Sequence, residues 1–195
     1  MINQIKSMIF GAVGQAVKTA VAEASKQTPT EIEIPTVLRS SYGPFAKKAA
    51  LFLIDANEYF KSKYGPEVGI HMAFRTWKTQ EELYKIGRRG IVGEKIVTKA
   101  KPGSSFHNYG VAIDVVFDGN TSKSGMQWSW NDNFPWKELG EIGEKHGFEW
   151  AGRWTNFPEM PHFQMTYGFT IKELLSFYNE GGLERVWAEF DKKQV

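Results

Sequence analysis

The chain has 195 residues and no cysteine, with 24 Lys and Arg against 22 Asp and Glu. Its 42% hydrophobic and 14% aromatic residues predict one globular domain with its own core and exclude a disordered chain. The formal net charge of +2 gives no broad basic field, so we expect no nucleic-acid partner. Without cysteine, a metal site must use histidine and carboxylate side chains.

The first 28 residues have the pattern of an amphipathic helix, because apolar residues recur at spacings of three and four. A secretory signal is the alternative, but Gln15 and Lys18 interrupt its apolar core. We expect a helix over residues 1–28 that packs on its own domain or docks to a partner or to itself. Prolines then predict a linker over residues 29–40. No stretch approaches the roughly 20 apolar residues of a transmembrane helix, so we expect a soluble protein.

Helices and short strands alternate irregularly over the remaining residues, 41–195. Helices are predicted from Pro44 to Gly65, from Trp77 to Ile86, from Pro135 to His146, after the Thr170–Glu173 capping box, and around Leu183–Phe190. Strands are predicted at Val68–Phe74, Val111–Phe117, Phe148–Trp150 and His162–Met165. This mixture has no regular βαβ repeat and predicts an α+β fold.

His107 and Asp114 belong to a loop that runs into one of these strands. Asp114 lies on the face opposite Val111 and Ile113, as a carboxylate in an otherwise apolar run. A buried carboxylate costs several kcal/mol unless it is paired or bound to metal. Asp114 is therefore either a metal ligand or a salt-bridged acid at a strand end.

Glu159 and His162 lie on a second junction between a loop and a strand. Pro161 disfavours a helix at the residue before it, so an extended turn carries both side chains. Two histidines and one carboxylate supply three ligands and leave a fourth tetrahedral position for water, which is the pattern of catalytic zinc. Zinc lowers the pKa of its water to about 7, and a nearby acid such as Glu159 can move the proton to the leaving amine. The alternative for Glu159 is a solvated loop acid.

The string Ser-x-His-x-x-Gly-x-Ala-x-Asp at residues 105–114, followed by Glu-x-x-His at 159–162, resembles the LAS zinc peptidases. That group contains D-Ala-D-Ala carboxypeptidases, phage L-alanyl-D-glutamate endopeptidases and the hedgehog signalling domain. The resemblance implies a small central antiparallel sheet flanked by helices, and Glu159 as the general base. It also implies a zinc ion held by His107, Asp114 and His162.

The resemblance extends to the segment 74–80, whose arginine in this family binds substrate and stabilises the oxyanion. It assigns that role to Arg75 and places Gln80 and Ser105 among the substrate-binding residues. The alternation of the predicted strand puts His71 on the same face as Arg75, so we expect His71 near the site.

Trp150 and Trp154 are expected to line the site, because amphipathic rings stack well on sugar or peptide, or else to close the core. They lie in the segment 147–154, which is similar to a segment of phage endolysin-type endopeptidases. Three residues depart from the pattern of these endopeptidases. Ala151 replaces a usual glycine, Arg153 stands where an acid is common, and the expected base is Glu159 where the endopeptidases often have Asp.

The sequence thus predicts a zinc-dependent peptidoglycan peptidase, and most directly a phage L-alanyl-D-glutamate endopeptidase. As a free endolysin it would pass from the host cytoplasm to the periplasm and wall. As a virion component it would be docked to a tail protein by residues 1–28. The alternatives are a D-Ala-D-Ala carboxypeptidase and a non-catalytic, zinc-stabilised wall-binding or tail protein.

Overall fold

The structure, a computed structural model, describes residues 32–65, 67–118, 128–129 and 133–194. The predicted helix over residues 1–28 lies outside these ranges. Residues from Glu33 onward form a compact unit of their own. Part of the predicted linker belongs to this unit, since Leu38 lies in a short helical turn and is fully buried.

Helices and strands lie close to where the sequence predicts them. The helices are α1 (Gly43–Lys63), α2 (Trp77–Lys85), α3 (Trp136–Lys145) and α4 (Ile171–Lys192). The strands are β1 (Val68–Met72), β2 (Ala112–Asp118), β3 (Trp128–Ser129), β4 (Glu149–Trp150) and β5 (His162–Gln164). Among the described residues, no helix has the length and apolarity needed to cross a bilayer.

The strands form one antiparallel sheet in the order β1-β2-β5-β4, with β3 paired to β2. Helix α1 covers one face, because its apolar residues recur every three or four positions. Its Phe52 ring lies 5.0 Å from that of Phe163 on β5, and its Phe60 ring lies 5.0 Å from that of Phe117 on β2. The predicted α+β fold, with a small antiparallel sheet flanked by helices, is confirmed.

Helix α4 consists of two helical segments, as predicted, that meet at a break. Gly182 there has a φ of 68°, a left-handed conformation that favours glycine. The first segment begins at the predicted capping box of Thr170 and Glu173. From the second, Trp187 Nε1 donates to Tyr109 O at 2.8 Å and so fixes the turn that carries His107.

Strand β1 ends at Met72, two residues before its predicted end. Its pairing with β2 is irregular between Ile70 and Met72. The following backbone pairs instead with the turn of His107, since Arg75 N donates to His107 O at 3.0 Å. Arg75 is therefore only 9% exposed, whereas simple alternation would leave it at the surface with His71.

Candidate metal centre

Three side-chain atoms converge at the open end of the β2–β5 pair. His107 Nε2 lies 3.2 Å from His162 Nδ1 and 3.2 Å from Asp114 Oδ1, and His162 Nδ1 lies 3.0 Å from the same Asp114 oxygen. The three predicted ligands thus form a nearly equilateral triangle. Both histidines are buried, and Asp114 is largely buried.

The sheet register and one tight turn produce this convergence. Asp114 and His162 are opposite residues of the antiparallel β2–β5 pair, so their side chains leave the same face. His107 lies in the helical turn Phe106–Tyr109, which ends at Gly110 with a φ of 71°. Asn108 anchors this turn, because its Nδ2 donates to Arg75 O at 2.9 Å and its Oδ1 accepts from Gly103 N at 3.0 Å.

The outer nitrogen of each histidine is held by an acceptor. His107 Nδ1 donates to Ala73 O at 2.6 Å, and His162 Nε2 donates to Gln164 Oε1 at 3.0 Å. The inner nitrogens of the neutral rings are therefore lone pairs that face each other and the Asp114 carboxylate. Three acceptors at this spacing need a proton or a metal ion between them.

The spacing and chemistry of the three atoms fit zinc. Ligands about 2.0–2.1 Å from a tetrahedral zinc lie roughly 3.3 Å from one another. The observed separations of 3.0–3.2 Å are close to this value. Two imidazoles and one carboxylate leave a fourth position for water or substrate, as in catalytic sites.

The pKa values of these groups reflect their burial and mutual contacts. Burial lowers the pKa of His107, against the opposing charge of Asp114. Burial works to raise the pKa of Asp114, but the charges and hydrogen bonds of the two histidines hold it well below its usual range. Burial also opposes charge on His162, yet its bonds to Asp114 and Gln164 raise its pKa. A proton and a metal ion therefore compete for His162 Nδ1.

Arg75 contacts the second oxygen of Asp114. Its Nη2 donates to Asp114 Oδ2 at 3.1 Å, and its Nη1 donates to Gln80 Oε1 at 2.9 Å. Gln80 is fully buried and donates in turn to Ala100 O at 2.8 Å. Gln80 therefore positions Arg75, so its predicted role in substrate binding would be exerted through Arg75 and not by direct contact.

A cavity of about 770 Å³ opens over the metal ligands. Its wall contains the predicted residues Arg75, Glu159, Ser105, His71 and Trp154. Burial raises the pKa of the Glu159 carboxyl, with the Asp114 charge adding to this effect and nearby cations opposing it. A carboxyl with a raised pKa beside a metal site suits proton transfer near neutral pH.

The two candidate tryptophans have different positions. Trp154 borders the cavity, with its ring centroid 5.7 Å from that of His162. Trp150 is 5% exposed, stacks 6.4 Å from Phe163 and donates through Nε1 to Met160 O. Trp150 therefore packs in the core, as the second of the two expectations had it, and does not border the cavity over the metal ligands.

The sequence did not identify Lys99, Phe157 or Gln164 as residues of the site. Lys99 and Phe157 both border the cavity, and Lys99 Nζ lies 4.3 Å from the centre of the Phe157 ring. The excess of basic residues between Arg75 and Lys101 could have indicated that a lysine such as Lys99 lies near the site. Gln164 lies two residues after His162 on one strand, so the two side chains leave the same face. This spacing could have indicated that Gln164 contacts the metal ligand.

Comparison with known proteins identifies relatives of this chain. A family model described as D-alanyl-D-alanine carboxypeptidase matches residues 98–165, which contain all three ligands and Glu159. The peptidoglycan L-alanyl-D-glutamate endopeptidase CwlK of Bacillus subtilis (strain 168) is 39% identical over 131 residues, covering 65% of this chain and 74% of CwlK.

Two solved structures are also similar. The Serratia marcescens L-Ala D-Glu endopeptidase ChiX has a TM-score of 0.45 and 20% identity, covering 72% of this chain and 96% of ChiX. VanYB in complex with D-Alanine-D-Alanine has a TM-score of 0.49 and 20% identity, covering 82% of this chain and 88% of that one. From the match to CwlK, the family model and the ligand triangle, we conclude that this chain belongs to the D-alanyl-D-alanine carboxypeptidase family of zinc metallopeptidases, whose relatives act on peptidoglycan.

Proposed function

We propose that this protein hydrolyses the bond between L-Ala and D-Glu in the stem peptides of peptidoglycan. The observation that carries the proposal is the position of Glu159 in the wall of the same cavity as the three metal ligands. The choice of bond is supported by the 39% identity to the endopeptidase CwlK. The resemblance of residues 147–154 to phage endopeptidases supports the same choice.

When bound, zinc polarises the scissile carbonyl and lowers the pKa of a water molecule. Glu159 then accepts a proton from the attacking water and donates it to the leaving amine. Its raised pKa favours the first transfer, because a more basic carboxylate accepts a proton from water more readily. Glu159 is carried by a fixed turn, in which its N–H donates to Ala151 O and its carbonyl accepts from His162 N, both at 3.1 Å.

Arg75 is the proposed partner of the substrate oxygen on which negative charge develops. Two of its five N–H groups donate to Asp114 and Gln80, and Nε has no partner among the described residues. Arg75 borders the cavity, so the N–H groups of its terminal nitrogens that make no bond within the protein are the proposed donors to an oxyanion or a substrate carboxylate. Because the group is buried and fixed by two bonds, it needs little reorganisation during the reaction.

A D-Ala-D-Ala carboxypeptidase is the second candidate, because the matching family model carries that description. Mass spectrometry of purified peptidoglycan after digestion distinguishes the two. An endopeptidase releases stem peptides that begin at D-Glu, whereas a carboxypeptidase releases free D-Ala. Loss of both products in the presence of a chelator would support the role of zinc, and persistence of hydrolysis would contradict it.

We also propose that the protein works as a phage lysin, which reaches the wall from the host cytoplasm or as part of the virion. The support is the resemblance of residues 147–154 to phage endopeptidases. Residues 1–28 would then dock the peptidase to a tail protein or to a second copy. Deletion of residues 1–28 tests this: a free endolysin keeps its lytic activity, and a virion component loses incorporation into particles.

A further inference from the structure

Behind the metal ligand His162, a set of hydrogen bonds leads through Gln164 and Glu149 to the cavity wall. Glu149 and Gln164 are opposite residues of the antiparallel β4–β5 pair, so their side chains leave the same face of the sheet. Gln164 Nε2 donates to Glu149 Oε2 at 3.3 Å, and Trp154 Nε1 donates to Glu149 Oε1 at 3.0 Å. Glu149 thus holds two different side chains, one with each carboxylate oxygen.

The first of these bonds sets the orientation of the Gln164 amide. A carboxylate only accepts hydrogen bonds, so the NH₂ group of Gln164 faces Glu149 and its Oε1 faces His162 Nε2. His162 must then carry its proton on Nε2, which leaves Nδ1 as the lone pair of the ligand triangle. The opposite amide orientation would place an NH₂ group against Nε2 and move the proton to Nδ1, where it would compete with the metal.

The second bond holds the wall of the cavity. The Trp154 ring is inclined by 49° to the imidazole of His162, with 5.7 Å between their centroids, and it borders the cavity over the metal ligands. Its indole N–H has an acceptor in Glu149, which restrains the ring in this position. The same carboxylate is therefore linked to a metal ligand through Gln164 and directly to a residue of the cavity wall, Trp154.

We propose that Glu149 is a positioning residue that couples zinc binding at His162 to substrate binding at Trp154. The proposal rests on the zinc peptidase function above. Removing an outer hydrogen-bond partner of a metal ligand typically weakens metal binding about 10- to 100-fold. The amide of Gln164 transmits the effect to His162, and the indole N–H of Trp154 transmits it to substrate.

Zinc affinity, measured by competition with a chromophoric chelator, tests the metal side without substrate. We expect Glu149→Ala to bind zinc at least about tenfold more weakly and to raise KM for a soluble stem peptide. Trp154→Phe keeps a ring but loses the N–H, so it should raise KM while zinc affinity is unchanged.

A double variant tests whether Glu149 acts through Gln164. When Glu149→Ala is combined with Gln164→Leu, the losses in zinc affinity should not add, because both changes break the same chain of hydrogen bonds to His162.

Glu141→Ala is the matched control, since Glu141 is an exposed acid on α3 that pairs only loosely with Lys137 at 4.0 Å. It should leave zinc affinity and KM unchanged. Glu149→Gln, which keeps one acceptor oxygen, should restore part of the zinc affinity lost in Glu149→Ala. Wild-type zinc affinity in Glu149→Ala, or additive losses in the double variant, would overturn the proposal. If the wild-type protein binds zinc but cleaves no stem peptide, the proposed function fails while the effect of Glu149 on zinc affinity is still measured.

Discussion

Arg75 and Asp114 form an ion pair in which the carboxylate keeps one oxygen free for metal. Arg75 Nη2 donates to Asp114 Oδ2 at 3.1 Å, while Oδ1 points to the inner nitrogens of the two histidines. The ion pair fixes the rotation of the carboxylate and places a cation beside the metal site. The residue proposed to stabilise the oxyanion is therefore in direct contact with a proposed metal ligand.

Substitution Arg75→Lys tests this arrangement. Lysine keeps the charge but lacks the planar fork that reaches Asp114 and Gln80 together. We expect kcat/KM for a stem peptide to fall about 10²- to 10³-fold, as for loss of an oxyanion donor. Arg153→Lys is the control, because Arg153 is an exposed residue that pairs with Glu144. Equal activity of Arg75→Lys and Arg153→Lys would contradict the assigned role.

Substitution Glu159→Gln removes the proposed general base with little change in shape. Glu159 is not one of the three ligands, so the bound zinc measured by atomic absorption should stay at the wild-type level. The value of kcat should fall by about 10²- to 10⁴-fold, the usual contribution of a positioned acid or base. Glu67→Gln changes an exposed acid paired with Lys61 and should leave kcat unchanged. A fully active Glu159→Gln variant would exclude this residue as the base.

We expect Lys99 to affect the pH dependence of hydrolysis through the proposed base, Glu159. Its positive charge lowers the pKa of Glu159, against the larger raising effect of burial. The base must be deprotonated, so activity is lost as pH falls through this pKa. Lys99→Met should therefore move the acid limb of the kcat/KM profile to higher pH, by an amount on the order of a few tenths of a unit because exposed charges are screened.

The neighbouring lysine provides a control for Lys99→Met. Lys101 is exposed and is not among the charges that shift the pKa of Glu159, so Lys101→Met should leave the acid limb in place. A full pH profile of each variant separates this shift from any change in the plateau. If the acid limb of Lys99→Met lies at the wild-type pH or at lower pH, the charge of Lys99 does not affect the pKa of Glu159 as proposed.

The metal ligands could be predicted from sequence because local rules determine their positions. Alternation along β2 and β5 places Asp114 and His162 on one face, and antiparallel pairing brings them opposite each other. The burial of Arg75 could not be predicted, because it depends on an irregularity in β1 and on backbone bonds to a turn that is distant in sequence. The contact of Gln164 with Glu149 likewise depends on the β4–β5 register, which no local pattern contains.

Removal of zinc should lower the thermal stability of the protein. A ligand present at 100 times its Kd stabilises the folded state by about 2.7 kcal/mol. For a chain of this length that corresponds to a Tm shift of roughly 5–10 °C. Differential scanning calorimetry with and without a chelator measures the shift. In Asp114→Asn, which loses the charged ligand, the chelator should change Tm much less. Equal chelator effects in both proteins would exclude Asp114 from the metal site.

The packing of α3 on the sheet gives a prediction that links stability to the metal site. A Cβ at Gly143 would lie 2.5 Å from the ring of Phe163, whose neighbours on β5 are His162 and Gln164. Overpacking of this kind costs about 1–3 kcal/mol, which exceeds the gain of about 1 kcal/mol from replacing a helical glycine with alanine. Gly143→Ala should therefore unfold at lower urea concentration.

The same substitution should also weaken zinc binding, because relief of the clash must displace Phe163 and with it the strand that carries His162. Gly43→Ala is the matched control, since a Cβ at Gly43 in α1 meets nothing within 4 Å. That variant should be as stable as the wild type or more so, with unchanged zinc affinity. If Gly143→Ala unfolds at the wild-type urea concentration, α3 does not pack against β5 as tightly as these distances require.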